Sequence, residues 1–555
     1  MEITRKITTE VLVVGSGLSG IKATKELADM DHDVLMVTKT KLASGSSFYP
    51  LKASLGTQVT KDEDDKEIFL QDIEDLSRGM HNQKLAETYV NDIPERVAEY
   101  PNIGVDAKKL EGERKACFAN HSRDIYLLSD WDQIRKNVKE IFNQYDNLNV
   151  MQKTVVVSLI KKEGQIAGAI LLDNQNEFVM VECQAVILAS GGFGSIYKHN
   201  LNPADVDGSG HMLAVEAGAS LVNMEFIQFI PGITTPRYKT LFGEHTLMYC
   251  RDIVDDEGES LLDSYLPENL SKNESLAIRS THGPFTHSLE SKYFDIAMME
   301  NIIRTKNENG FTLLYDDELY ENEEEFYKVY LDWLKEKNVH LTEQEVKIAP
   351  FAHASNGGVS IDENGGTGIA GLYAIGELSA NIEGANRLGG NSTGACMVFG
   401  KRSAIDCDAY LQTAERYELS EADGEAHLEQ LSESINSGSP DDLTANQMID
   451  QIKEIMWYYG NVVRSEVRLV DALEQISELE SGFMFADLLE HKQSRKLAMK
   501  GRNFIKMARI LLQAMLARKE SRGAHYREDY PAENSSYDKR LFIANENETT
   551  SYEFL

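Results

Sequence analysis

A single arginine stands among glycines and amides in residues 381–400, Asn-Ile-Glu-Gly-Ala-Asn-Arg-Leu-Gly-Gly-Asn-Ser-Thr-Gly-Ala-Cys-Met-Val-Phe-Gly. The pattern reads as a loop running into the start of a helix. It offers the Arg387 guanidinium and a set of helix-N-terminal amides to an anionic ligand and a large cofactor together. At the far end of the chain Gly15, Gly17 and Gly20 make a GxGxxG turn, with Ser16 inside it. An apolar strand leads into that turn and a helix leads out, so backbone N–H groups can approach a pyrophosphate at the helix N-terminus. A tight turn with no ligand is the competing reading, and the strand and helix on either side disfavour it. The second strand ends Val37-Thr38-Lys39, without the acidic residue that usually holds an adenosine ribose, which weakens an NAD assignment.

The elements that must position these groups follow from patterning. Residues 10–38 read strand, Gly-rich turn, helix, strand. An acidic helix follows Thr60, and the β-branched runs 155–159 and 166–172 read as antiparallel strands. Residues 186–188 form a short buried strand ending in Ser-Gly-Gly. Between 234 and 349 the composition turns to aromatic and acidic helices, including 321–337. Residues 369–375 are again a strand, running straight into Gly376-Glu377. Beyond Tyr417 apolar residues recur at helical spacing through Leu516, and 521–555 is polar and turn-rich. The expected architecture is α/β: a Rossmann-like domain (1–233 and 350–417) interrupted by an α+β cap (234–349), then a helical domain (418–520) and a polar C-terminal segment (521–555).

At 555 residues the chain exceeds one core, as that parse requires. A net charge of −34 argues against nucleic acid and anionic membrane as partners. No run of about 18 apolar residues is present, so direct membrane insertion is not expected. The five cysteines form no CxxC pair, which points to a reduced cytoplasmic setting and leaves any metal cluster to another chain.

Three segments in order resemble the flavoprotein subunits of succinate dehydrogenase and fumarate reductase and their relative L-aspartate oxidase. They are the N-terminal glycine motif with its Thr-Lys end, Ala-Ser-Gly-Gly-Phe-Gly at 189–194, and Gly-Leu-Tyr-Ala-Ile-Gly-Glu at 371–377. The likeness continues to Ser-Arg-Gly-Ala-His-Tyr-Arg-Glu-Asp-Tyr-Pro at 521–531. The resemblance implies FAD as cofactor. Gly15, Ser16, Gly17 and Gly20 would serve the pyrophosphate, and Glu377 the ribityl or ribose hydroxyls. Asn391 and Ser392 would serve the flavin, with Thr38, Lys39, Ser46, Ser47, Gly191 and Gly192 around the cofactor. Relatives with covalent FAD carry a His in the segment matching Ser46-Ser47-Phe48-Tyr49; this chain has none, so the flavin is expected to be noncovalent. Ser209 stands where relatives have Asp between glycines.

The resemblance also places the substrate between flavin and cap, held by two His and an Arg. His353 and Arg387 match two of these positions, and Arg suits the role because its planar fork engages a carboxylate bidentately. The other His is replaced: Gln-Phe-His-Pro of the family reads Gln228-Phe229-Ile230-Pro231. The cap arginine that moves a proton in relatives is not evident, leaving His287 or Lys292 as candidates, with Glu244 as the acidic partner flanked by His245. The expected activity is hydride transfer between flavin N5 and a small anionic, unsaturated organic acid other than fumarate. The alternatives are an amino acid oxidase resembling L-aspartate oxidase and a component of an iron–sulfur complex resembling adenylylsulfate reductase. In each case electrons pass to or from a diffusing reductant or a separate protein.

Overall fold

The computed structural model describes every residue except 50–53, 113, 381, 434–443 and 547–548. Val11–Val14 is apolar and buried at every position, the signature of a strand covered on both faces. It lies at the centre of a five-stranded parallel sheet ordered Leu372–Ala374, Ala185–Leu188, Val11–Val14, Val34–Thr38, Leu148–Gln152. In open sheets of this kind ligands gather beyond the carboxyl ends of the strands. Those ends bring together the glycine turn, Thr38, the 189–194 loop and Glu377.

Two glycines let helix Leu18–Asp29 sit close on that sheet. Gly15 has φ +115°, and a Cβ there would lie 2.3 Å from the Ala189 carbonyl oxygen. A Cβ on Gly20 would lie 2.1 Å from the Gly15 carbonyl oxygen. Helix Asn391–Leu411 packs along Leu18–Asp29. Between them Lys22, fully buried, is neutralised by Glu26 and Glu99 at 2.5 Å each. A buried cation so paired avoids the penalty that a lone charge would carry.

The runs expected as antiparallel strands are Val155–Lys162 and Gln165–Leu172, paired in a second, four-stranded sheet. The strand expected over 369–375 is only Leu372–Ala374, because Leu372 N–H turns back onto the Ile369 carbonyl.

The segment read by its helices does hold Lys272–Arg279, Lys292–Thr305 and Glu325–Glu336. It is built on an antiparallel sheet ordered Thr240–Leu241, Ile227–Thr235, Lys347–Ser355, Phe311–Tyr315, Cys250–Val254. The paired strands Ile227–Thr235 and Lys347–Ser355 run through both junctions of the cap. Helices Glu421–Glu433, Ala445–Tyr459, Glu466–Ser481 and Arg495–Ala517 follow. The C-terminal segment differs from its sequence reading. Ser521, Arg522, His525 and Arg527 are buried, and Leu541–Glu546 with Thr549–Phe554 forms a hairpin that joins Leu221–Val222. Leu541 and Ile543 point into the core from that hairpin. Among the described residues no helix is long and apolar enough to cross a membrane.

Candidate active site

One long cavity, about 1210 Å³ including its open mouth, runs from the glycine turn to Arg387. Of the residues singled out in the sequence, Gly15, Ser16, Gly17, Thr38, Lys39, Ser46, Ser47, Gly191, His353, Glu377, Arg387 and Ser392 line it together. Gly20, Gly192 and Asn391 stand directly behind its wall.

At the nucleotide end the polar side chains are bonded to one another. Ser16 Oγ donates to Thr38 Oγ1 at 3.0 Å, and Ser47 Oγ accepts the Leu18 N–H at 3.2 Å. Lys39 Nζ pairs with Asp207 and donates to Ser209 Oγ at 2.6 Å. Burial pushes the Asp207 carboxyl up, but Lys39 beside it holds it below the usual carboxylate range. Ser209 therefore accepts a hydrogen bond from the lysine, while the acid at this turn is Asp207, two residues earlier. Gly17 keeps the helix N-terminus open: a Cβ there would meet nothing closer than Ser47 Oγ at 3.6 Å. Glu377 reaches across Gly192 to accept the Ser355 N–H at 3.1 Å. A Cβ on Gly192 would sit 2.5 Å from Glu377 Oε1, so a larger residue would displace the carboxylate.

At the other end two backbone devices aim the candidate substrate groups. Gln228 faces Ala354 and Phe229 faces Ala352, so His353 is the extra residue of a β-bulge. Bulges re-aim side chains, and this one belongs to the residue on the cavity wall. Helix Asn391–Leu411 starts after Gly390 in the left-handed region, with no side chain capping its first amides. Ser392 and Thr393 at that uncapped end line the cavity.

Arg387 is held from two sides. Its Nε and Nη2 donate to Gln228 Oε1 at 3.2 and 3.0 Å, and Nη1 donates to Ser392 Oγ. Gln228, fully buried, is fixed in turn by donating to Asn386 Oδ1 at 2.7 Å. Sequence reasoning gave Gln228 no role, although it opens the Gln-Phe-Ile-Pro motif. Ile230 lies two residues on, buried and paired with Phe351, and adds no donor.

The three cap candidates part company. Glu244 opens the turn Glu244–Tyr249, and a Cβ on Gly283 would sit 3.4 Å from its Oε1. Gly283 N–H donates to Cys117 Sγ at 3.2 Å, and the Cys117 carbonyl accepts from Gly389 N at 2.9 Å. This sequence of contacts ties the cap to the Arg387 loop. Burial raises the Glu244 carboxyl, with Arg279 pulling it back. Burial and then Glu244 push the Cys117 thiol up to about 12, so it stays protonated. Arg279 itself is consumed by Asp295 at 2.8 and 3.2 Å and by the His282 and Gly283 carbonyls. His287 instead stacks on Tyr526 of the C-terminal segment, ring centroids 5.7 Å apart. Burial, then Lys292, lowers its imidazole to about 4. Lys292 begins helix Lys292–Thr305 and lies over Tyr293. None of Glu244, His287 and Lys292 is on the cavity wall; the loop that carries the last two turns toward residues 523–526.

These features fit FAD. A glycine turn at one helix N-terminus, a long cavity beyond parallel strands and a second, uncapped helix N-terminus supply separate places for pyrophosphate and isoalloxazine. Comparison with known proteins agrees. Residues 10–393 match the FAD binding domain model, and residues 449–554 match the fumarate reductase flavoprotein C-terminal model. Over 575 residues the chain is 26% identical to a polypeptide of the fumarate reductase (CoM/CoB) of Methanothermobacter marburgensis, with 96% of each covered. It is 26% identical over 558 residues to L-aspartate oxidase of Yersinia pestis, covering 96% of this chain and 98% of that one. In structure it resembles Sdh1 of Mycobacterium smegmatis, with a TM-score of 0.82 at 22% identity, covering 99% of this chain and 94% of the other. The chain belongs to the FAD-binding flavoprotein family of the fumarate reductase and succinate dehydrogenase type, and is an FAD-dependent oxidoreductase.

Proposed function

We propose that this oxidoreductase transfers a hydride between N5 of a noncovalently held FAD and a small anionic, unsaturated organic acid other than fumarate. The observation that carries this reading is the Arg387 guanidinium on the cavity wall, locked by Gln228 and Ser392 beside the bulged His353. FAD, when bound, supplies the hydride chemistry. Arg387 keeps donors beyond those given to Gln228 and Ser392, and these bind one carboxylate and draw charge toward it as the neighbouring carbon reacts. His353 orients the same anionic end. Glu244 of the cap, whose carboxyl burial raises, is the candidate to bring the proton to the second carbon when the cap closes. The cap, continuous with the core through two strands, excludes water when it closes.

The limit on substrate comes from strand Ile227–Thr235. Beyond Gln228 it offers apolar, buried Ile230, so a second carboxylate at that position loses its hydrogen bonds. Desolvating an unpaired carboxylate oxygen costs a few kcal/mol, roughly a hundredfold in discrimination. The test is anaerobic reoxidation of the reduced holoenzyme by a panel of unsaturated acids. A monocarboxylate should react at least about a hundredfold faster than fumarate. Fumarate reacting as fast as any acid tested would overturn the substrate assignment. Hydrogen peroxide formed from an amino acid would favour an oxidase instead, and a copurifying iron–sulfur chain would favour a complex.

A further inference from the structure

A smaller polar recess of about 330 Å³ shares Glu377, Arg387 and Ser392 with the main cavity, and is closed by Asn356 and Glu383. Asn356 is 3% exposed and Glu383 5%. Neither amide atom of Asn356 has a hydrogen-bond partner, and Oε2 of Glu383 has none. Buried polar groups in folded proteins are nearly always hydrogen-bonded, to protein, to ordered water or to a ligand.

The other oxygen of Glu383 is tightly organised. Asn391 Nδ2 donates to Glu383 Oε1 at 2.9 Å. Asn391 Oδ1 accepts from Gln58 Nε2 at 2.8 Å and from Tyr89 OH at 3.4 Å. Asn391, fully buried, therefore acts on the recess only through Glu383. The charged and titratable groups around Glu383 are Arg387 on its own loop, Tyr89 on helix Gln83–Val97, and Glu377 across the recess. Burial pushes the carboxyl up to about 7, against the pull of Asn391, Arg387 and the Leu388 backbone N–H.

We propose that Glu383 is a proton-holding positioning group of the flavin pocket, which completes its hydrogen bonding on bound FAD and changes protonation as the pocket gains or loses electrons. Two electrons from a donor such as dithionite add negative charge beside Arg387. Glu383 takes one proton from solvent as they enter and returns it as they leave, only its O–H bond forming and breaking. The proposal rests on FAD binding and not on the identity of the substrate.

The reduction potential of the holoenzyme, followed from about pH 6 to pH 8, tests it against the E383Q variant. The wild type should carry one additional proton per electron pair. This is a tenfold change per pH unit, or about 30 mV for a two-electron couple, that E383Q lacks. Parallel curves would overturn the proposal. If E383Q loses its flavin, infrared difference spectra of wild type and E383D replace it. A protonated-carboxyl band should appear on reduction and shift in E383D, and a missing or unshifted band would overturn the proposal.

Discussion

The two ends of the cavity are built on opposite principles. At the nucleotide end Ser16 bonds Thr38, Lys39 bonds Asp207 and Ser209, and Ser47 accepts the Leu18 N–H, all without any ligand. Glycines there provide space rather than chemistry. At the substrate end Arg387 keeps donors free, and Glu383 and Asn356 bury polar atoms with no partner. The first region holds a shape into which a cofactor fits. The second is left electrostatically incomplete, and the ligand finishes it.

The largest expected effect is therefore steric and falls at the nucleotide end. Gly15→Ala puts a methyl 2.3 Å from the Ala189 carbonyl at φ +115°, so the turn itself must move. The variant is expected to purify without FAD, as read from the flavin absorbance of the folded protein. Full flavin loading would break the comparison. A smaller effect is expected at the other end. Gln228→Leu removes the acceptor that aligns Arg387 but leaves the nucleotide contacts alone. FAD should stay bound while turnover falls about tenfold or more, the scale of one charge-assisted hydrogen bond. Unchanged turnover would show that Ser392 alone positions the guanidinium.

A fall in pH should strike both ends alike. His211, beside the cofactor cavity, and His282, in the cap, are each driven by burial down to about 3 from 6.5. The folded protein keeps them neutral while the unfolded chain takes up protons below 6.5. Stability is therefore fully present above 6.5 and declines as pH falls toward 3. The slope from each is about 1.4 kcal/mol per pH unit. A thermal midpoint that stays flat between pH 6.5 and pH 5 would contradict this.

The contrast also explains what the sequence made legible. The glycine turn, the Gly376-Glu377 end and the Arg387 loop are contiguous, and their chemistry is local, so spacing reveals them. Gln228 and Arg387 meet only through side-chain hydrogen bonds between a strand and a loop far apart in the chain, and Gln228 is itself placed by pairing with Ala354. The His353 bulge is a one-residue offset in that pairing, invisible to any periodicity. Glu383 stood in plain view three residues before Asn386. Only the structure shows that Asn391 lies behind it rather than on the cavity wall. The cap was read by its helices because the runs 227–235 and 347–355 are buried on both faces and lack a regular apolar–polar alternation. The 521–531 stretch reads in sequence only as polar and turn-rich. Its polarity instead serves buried pairs, such as Arg522 with Glu520 at 2.8 Å.

The central claim is that Arg387 binds and polarises the substrate without holding the cofactor fold together. Single-turnover reoxidation of FAD-loaded Arg387→Ala by the best acid of the panel tests it most directly. The variant should keep its full flavin content and react at least about a hundredfold more slowly than wild type, the loss expected for one buried charge-assisted contact in the transition state. A flavin-loaded variant that reacts at the wild-type rate would contradict it.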